Sequence, residues 1–347
     1  MNPRWKQRPP GSNWGEFGPD DQRGRMNWVT REKVLQGVAE VKEGRSFCLS
    51  LPLDYPGGNA LNPRRSPPRQ FATQRAGKQN FCYPLANENP LHTDVVCDDV
   101  VLLTLQYSTQ WDSLAHIGSR FDADGDGKAE IVFYNGFRAG EHIKPAPENA
   151  QAESWAKFEG ARAEALGIQN LAEHGVQGRG VMIDLHAHFG RERHAVNYDE
   201  LMRVLDADRV AVEQGDMVCL YTGFADVILE LRKNPDPQLL HHTCSGLDGR
   251  DERLLQWISD SGLAALIADN YAVEIIPQSP FKPIEHAAMP LHEHCIFKNG
   301  IHLGEIWYLS ELARWLREHQ RNRFLLTAPP LRLPGAVGSP ATPVATV

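Results

Sequence analysis

The sequence predicts a single α/β domain spanning residues 1–347. Three observations carry that prediction. Short apolar runs of strand length alternate with amphipathic stretches of helix length. No internal repeat and no clear linker divides the chain. The composition is that of an ordinary folded protein, 41% hydrophobic and 23% charged, and 347 residues suffice to bury a large core.

The elements follow in order. Residues 1–30 read as an irregular N-terminal arm whose Trp5, Trp14 and Trp28 dock on the body. Thr30 is a good N-cap, and Val34, Leu35, Val38 and Val41 follow at helical spacing up to Gly44. Ser46–Leu53 alternates like a strand. Residues 54–95 hold Pro56, Gly57, Gly58, Pro63, Pro67, Pro68 and Pro84, so no regular element is expected there. A long loop of this kind serves as a binding loop or lid. Asp98–Gln106 reads as a buried strand from its β-branched and apolar content. Helical patterns recur at Ala150–Leu166, Tyr198–Gln214 and Ser310–Glu318. Strands fit Gly180–Leu185, Met217–Thr222, Leu263–Asp269, Ile301–Gly304 and Phe324–Ala328. The Pro- and Gly-rich tail, 329–347, is expected to form no element.

Charge and cysteine usage exclude several classes. A net charge of −8 argues against general binding to nucleic acid or to an anionic membrane. No apolar run is long enough to span a bilayer, and Met1–Lys6 lacks a secretory apolar stretch. The 6 Cys contain no C-x-x-C pair and read as buried apolar thiols in a reducing cytoplasm. A metal would therefore have to be held by His, Asp, Glu or Gln, and the chain has 14 His.

The densest chemistry follows Asp98–Gln106. Gln106, Gln110, Asp112 and His116 fall at intervals of 4, 2 and 4 residues. Even intervals put side chains on one face of extended backbone, and a loop could converge them on one point. Ligands of α/β folds sit at such strand ends. Three other features read as structure. Asp122–Gly127 begins like a calcium loop, but Phe133 stands where a bidentate Glu is needed, so an acidic glycine turn is the simpler reading. The pairs His186/His188 and His241/His242 lack carboxylates at a ligand spacing. Gly178-Arg179-Gly180 precedes a strand, not the helix that a phosphate loop needs.

The Gln106–His116 segment resembles the H-x-G-T-H-x-D-x-P-x-H pattern of the cyclase family, which includes kynurenine formamidase and isatin hydrolase. Thr109, Asp112 and His116 match it. Gln106 and Gln110 stand where the family has His, Ser108 where it has Gly, and Leu114 where it has Pro. The chain is similar to the branch with the form S-T-Q-W-D-x-x-x-H. Asp20–Gly24 with Asn27, Gly178–Asp184, Gly215–Gly223, Asp269–Glu274, Leu291–His292 with Gly300–Glu305, and Ala328–Pro330 resemble further ordered family segments. The likeness runs over about residues 14–343.

The resemblance implies a swivelling β/β/α-type fold, with a mixed central sheet or barrel-like core flanked by helices. It implies one divalent metal, zinc or manganese, held by Asp112, His292 and Glu305. It gives His116 the role of catalytic acid/base. Neutral amides are poor ligands, so Gln106 and Gln110 are expected to leave the family's other metal position empty. A chain with no metal is the other expectation, and there Gln106 and Gln110 would donate hydrogen bonds to an oxyanion. The implied reaction is hydrolysis of a C–N bond, an amide or lactam, in a small cyclic or aromatic substrate. Metal-free hydrolysis or cyclisation of another carbonyl compound is the alternative, as is small-molecule binding on a degenerate scaffold. A homodimer or homotetramer is expected.

Overall fold

In the computed structural model, which describes residues 4–146, 160–276 and 285–347, a mixed sheet curls into a half-barrel and organises the chain. Its nine strands among the described residues are labelled β1–β9 in chain order. They are Ser46–Cys48, Gln110–Asp112, Gln177–Asp184, Met217–Tyr221, Ala265–Ala268, His302–Glu305, Arg323–Thr327, Gly338–Pro340 and Val344–Thr346. Their spatial order is β1-β9-β7-β3-β4-β5-β6-β2-β8. Strands β3 to β6 run parallel to one another, and every other pairing in the sheet is antiparallel.

The parallel centre follows from composition. Met217–Tyr221 is buried at every position, as a strand covered on both faces must be. Its alternation divides the core. Val218 and Leu220 join Val181, Ile183 and Leu266 on one face, beneath Tyr198–Ala207 and Glu252–Asp260. Met217, Cys219 and Tyr221 join Met182 and Ile267 on the other, beneath Ser310–Glu318. Local capping agrees with this plan: Asn197 and Glu200 form a reciprocal capping box at Tyr198. The arm docks through its tryptophans as expected. Trp14 is buried edge-on to Phe297 at 5.3 Å and donates to its carbonyl at 2.8 Å.

Several expectations need correction. The Thr30-capped helix ends at Ala39, and its buried residues are Lys33 and Gly37 rather than the apolar Leu35 and Val38, which are exposed. An ion pair decides this: Lys33 reaches the buried Asp216 at 3.0 Å, and Gly37 lies too close to the Gly178 backbone for any side chain. The strand expected over Ser46–Leu53 spans Ser46–Cys48. The helix expected over Tyr198–Gln214 stops at Ala207, before Arg209 at a left-handed φ of 52°. The expected helix Ala150–Leu166 lies largely outside the described residues; its described end holds a short strand, Arg162–Ala163.

The tail forms two strands. Gly338–Pro340 pairs with Gln110–Asp112, and Val344–Thr346 bridges β1 and β7. Its prolines fall beside the strands or at an edge, where no ladder donor is lost. Residues 54–95 also hold short antiparallel pairs, among them Gln74–Arg75 with Lys78–Gln79. The expected buried strand Asp98–Gln106 is instead Asp99–Leu102, paired with Arg69–Ala72 and exposed at every residue. No described helix is long and apolar enough to cross a membrane.

Candidate metal and catalytic site

The site grows out of the β2–β6 pairing. Glu305 lies directly opposite Gln110, and Gly304 opposite Trp111. Opposed residues of an antiparallel pair share a face, so Glu305, Gln110 and then Asp112 point to one side. The other side is filled by Trp111 against Trp307, at 5.1 Å between rings. Thr109 anchors the strand by donating to the Ile306 carbonyl at 2.6 Å.

Beyond Asp112 the chain turns. His116 N donates to the Ser113 carbonyl at 3.0 Å, which folds the imidazole back until Nε2 is 3.8 Å from Asp112 Oδ1. The four-residue interval therefore works through a turn, not through a continued strand. His292 comes from the short helix Pro290–His292. Glu274 receives the backbone N–H groups of Leu291 at 3.2 Å and His292 at 3.0 Å, and its Oε1 lies 2.8 Å from His292 Nδ1. That orients the ring so that Nε2 is 3.1 Å from Glu305 Oε1. A side chain on Gly249 would strike the Glu274 carboxylate.

Asp112, His292 and Glu305 are all buried, with one ligand atom each within 4.8 Å of the others. Burial pushes the Asp112 carboxyl up, against the opposing pull of His116. Burial would lower the His292 imidazolium, but its hydrogen bonds to Glu274 and Glu305 overcome this and raise it to about 10. Burial would likewise raise Glu305, yet the His292 hydrogen bond holds it below the usual carboxylate range.

This donor set suits a cation. Two carboxylates and an imidazole are the ligand types of a three-residue catalytic zinc site. Asp112 Oδ2 is buried with no partner, which is costly unless something charged meets it. His292 Nε2 faces Glu305 beside Asp112, so the three could share a cation, and Glu274 at Nδ1 is an outer carboxylate of the kind that orients metal-binding imidazoles.

The two glutamines behave differently from each other. Gln110 Nε2 donates to Asp112 Oδ1 at 3.2 Å and to Glu305 Oε2 at 3.1 Å, so it ties the carboxylates together instead of standing free for an oxyanion. Gln106 is half-buried and packs its amide on Gly338, the residue opposite Asp112. His294 and Glu293, the neighbours of His292, turn elsewhere: His294 lies 2.9 Å from Ser259 Oγ, and Glu293 accepts from Ser119 at 2.7 Å.

Sequence reasoning missed three residues. Glu274 stood in a quoted motif without a role. Arg65 lay within the 54–95 loop and Tyr271 within the Asp269–Glu274 segment, but neither was given a role, because only the fold brings them here. Arg65 donates to the Gln106 carbonyl at 2.7 Å, lies 5.9 Å above the Tyr271 ring and is close enough to Asp112 and Glu305 to draw down both carboxyls. Arg65, Gln106 and His116 are partly exposed, whereas the ligand set is not, so these three line the open side.

Other motifs make structural contacts. Asp269 accepts from Thr222 N and Oγ1, both at 2.7 Å, and from Gly223 N at 2.8 Å, locking the ends of β4 and β5 together. Arg179 and Lys33 both pair with the buried Asp216. Asp122 accepts the N–H groups of Gly125, Asp126 and Gly127, as an acidic glycine turn does. His186 lies 3.1 Å from the Thr222 carbonyl and His188 3.0 Å from Asp208; His242 lies 2.7 Å from the Gln238 carbonyl.

Comparison with known proteins agrees with this architecture. The family model described as "Putative cyclase" matches residues 49–275. The crystal structure of a novel cyclase superposes with a TM-score of 0.72 at 28% identity, covering 98% of this chain and 100% of that one. Isatin hydrolase A from Labrenzia aggregata, bound to benzyl benzoate, gives a TM-score of 0.53 at 13% identity over 90% of this chain and 97% of its own. Isatin hydrolase A from Ralstonia solanacearum gives 0.51 at 13% identity, covering 91% and 97%. At those identities the isatin hydrolases speak to the fold alone. No curated protein matches the sequence.

Proposed function

The chain belongs to the cyclase family, and from that premise we propose that it is a metal-dependent hydrolase of a C–N bond in a small cyclic or aromatic amide or lactam. The convergence of Asp112, His292 and Glu305 beside His116 is the observation that carries this reading. One divalent cation, zinc or manganese, would be held by those three residues. When bound, such a cation polarises a carbonyl and lowers the pKa of water toward ~7.

The chain's own residues do the rest. Glu274 holds the His292 ring in place through Nδ1. Gln110 fixes the spacing of Asp112 and Glu305, and its neutral amide fills the place of a second cation without adding charge. His116 stands at the open side, where its imidazole takes a proton from attacking water and returns it to the leaving nitrogen. Arg65 offers its remaining guanidinium donors to an oxygen of the incoming substrate.

The test is calorimetric titration of chelator-treated protein with zinc and with manganese, followed by hydrolysis assays on an anilide, a lactam and a lactone. One equivalent of metal bound, its loss in Asp112→Ala, and turnover of the anilide or lactam are the expected results. Turnover unchanged in Asp112→Ala and His116→Ala would overturn the assignment. Binding of such ligands with no hydrolysis in any of the assays would favour the binding-protein alternative. We also propose a homodimer or homotetramer, which light scattering on the full chain would check.

A further inference from the structure

The segment from Arg69 to Leu102 is built without an apolar core. None of the three buried apolar clusters draws a residue from it, and Phe71, Phe81, Leu91, Val95 and Val100 on it are exposed. Polar pins hold it together instead. Asn80 Nδ2 donates to Asp98 Oδ2 at 2.6 Å and to Thr73 Oγ1 at 3.2 Å, and Asp98 N donates to the Asn80 carbonyl at 2.8 Å. Small units that cannot bury enough surface are commonly stapled covalently.

Two cysteines lie where a staple would go. Tyr83 pairs with Val96 in an antiparallel bridge, and Cys82 and Cys97 flank that pair, Cys82 just outside the strand at a left-handed φ of 51°. Both thiols are exposed, and their sulfurs are 3.9 Å apart. The Cys82 backbone N–H donates to Cys97 Sγ at 3.0 Å. The hydrogen bond with Cys97 raises the Cys82 thiol above its ordinary value, which leaves Cys97 as the first nucleophile. The sequence reading of all six cysteines as buried is thereby corrected: Cys48, Cys82 and Cys97 are exposed. A separation of 15 residues hid the pairing of the last two, because no short motif records cross-strand register.

We propose that Cys82 and Cys97 form a disulfide site whose co-reactant is a low-molecular-weight disulfide such as oxidised glutathione. The Cys97 thiolate attacks one sulfur of that reagent, forming a mixed disulfide and releasing one glutathione thiolate. The Cys82 thiolate then attacks the Cys97 sulfur and releases the second. Two protein thiols are oxidised, one disulfide is reduced to two thiols, and the two protons leaving the protein thiols end, by way of solvent, on the two released glutathiones. The closed bond pins the hairpin inside the segment that joins Arg65 to Gln106, both of which stand at the mouth of the site.

The experiment treats the full-length protein with oxidised glutathione, blocks remaining thiols and maps the peptides by mass spectrometry. The expected product is a Cys82–Cys97 cross-link lighter by two hydrogens, with no glutathione on either residue. Cys48 serves as an exposed control, since its sulfur lies 3.3 Å from the Ser50 hydroxyl and not beside a thiol; it should stay free or carry a single glutathione. In Cys82→Ser the cross-link should vanish and Cys97 should keep its glutathione adduct. Glutathione retained on both residues of the native chain, two unreacted thiols, or cross-links only between chains would overturn the proposal.

Discussion

Two stretches of the chain look alike in sequence and end up opposite in structure. Met217–Tyr221 and Asp99–Leu102 are both short and rich in β-branched or apolar residues. The first is buried throughout at the centre of the parallel sheet. The second leaves Val100 52% exposed on a two-stranded ribbon. Apolar content shows that a segment prefers extended backbone, but burial depends on how many neighbours the topology supplies. The difference also divides the labour. The central sheet carries Asp112 and Glu305 on buried strands, while the ribbon belongs to the segment that delivers Arg65 to the open side.

The contrast can be broken at its functional end first. His116→Asn should lower kcat by about 10²–10⁴-fold, the usual worth of a general acid/base. Calorimetric metal binding should survive, because the ligands are untouched. Loss of metal binding in that variant would instead make His116 a ligand. Next comes packing: Leu220→Ala should cost about 2–5 kcal/mol in chemical denaturation, since the side chain is fully enclosed. A cost below about 1 kcal/mol would mean that the sheet centre is far looser than described.

Glu274→Gln should weaken metal affinity about 10–100-fold, as removal of an outer partner of a metal-binding imidazole does. Unchanged affinity would show that the ring needs no such support. Acidification reads out a further part of the interior. Burial lowers His294 and His302 to about 4, whereas an unfolded imidazole titrates near 6.5. The unfolded chain therefore takes up protons that the native chain refuses. Stability present above the unfolded value is lost as the pH falls from about 6.5 toward 4. Thermal melts across that window should show the loss, and His294→Gln should make it shallower than in the native chain. The smallest effect belongs to the ribbon: Val100→Thr should change stability by no more than about 0.5 kcal/mol. A larger loss would mean that something covers that face in solution.

Much of the site was legible because strand and turn impose local spacing. Asp112 and His116 stand close together in sequence and in space, joined by one turn. His292 and Glu305 came from the resemblance, and the fold brings them to Asp112 across the β2–β6 pairing. Glu274 was visible as a motif residue but not as the support of an imidazole, because its contact with His292 joins residues 18 apart, a separation that no local spacing encodes. The tail was misread for a related reason. Proline density argues against a free-standing strand, yet Gly338–Pro340 needs only the edge beside Gln110–Asp112.

By itself the sequence determined the alternation of strands and helices, the acidic and cysteine-poor character, and the residues able to carry hydrolytic chemistry. These depend on side-chain type and short-range periodicity, which the chain carries along its length. Tertiary structure alone decided that Lys33 would be buried and Leu35 exposed, that Arg65 would reach the open side, and that Cys82 would face Cys97. Each of these rests on contact between segments distant along the chain or on cross-strand register. Such contacts are set by the packing of the whole chain rather than by any local pattern.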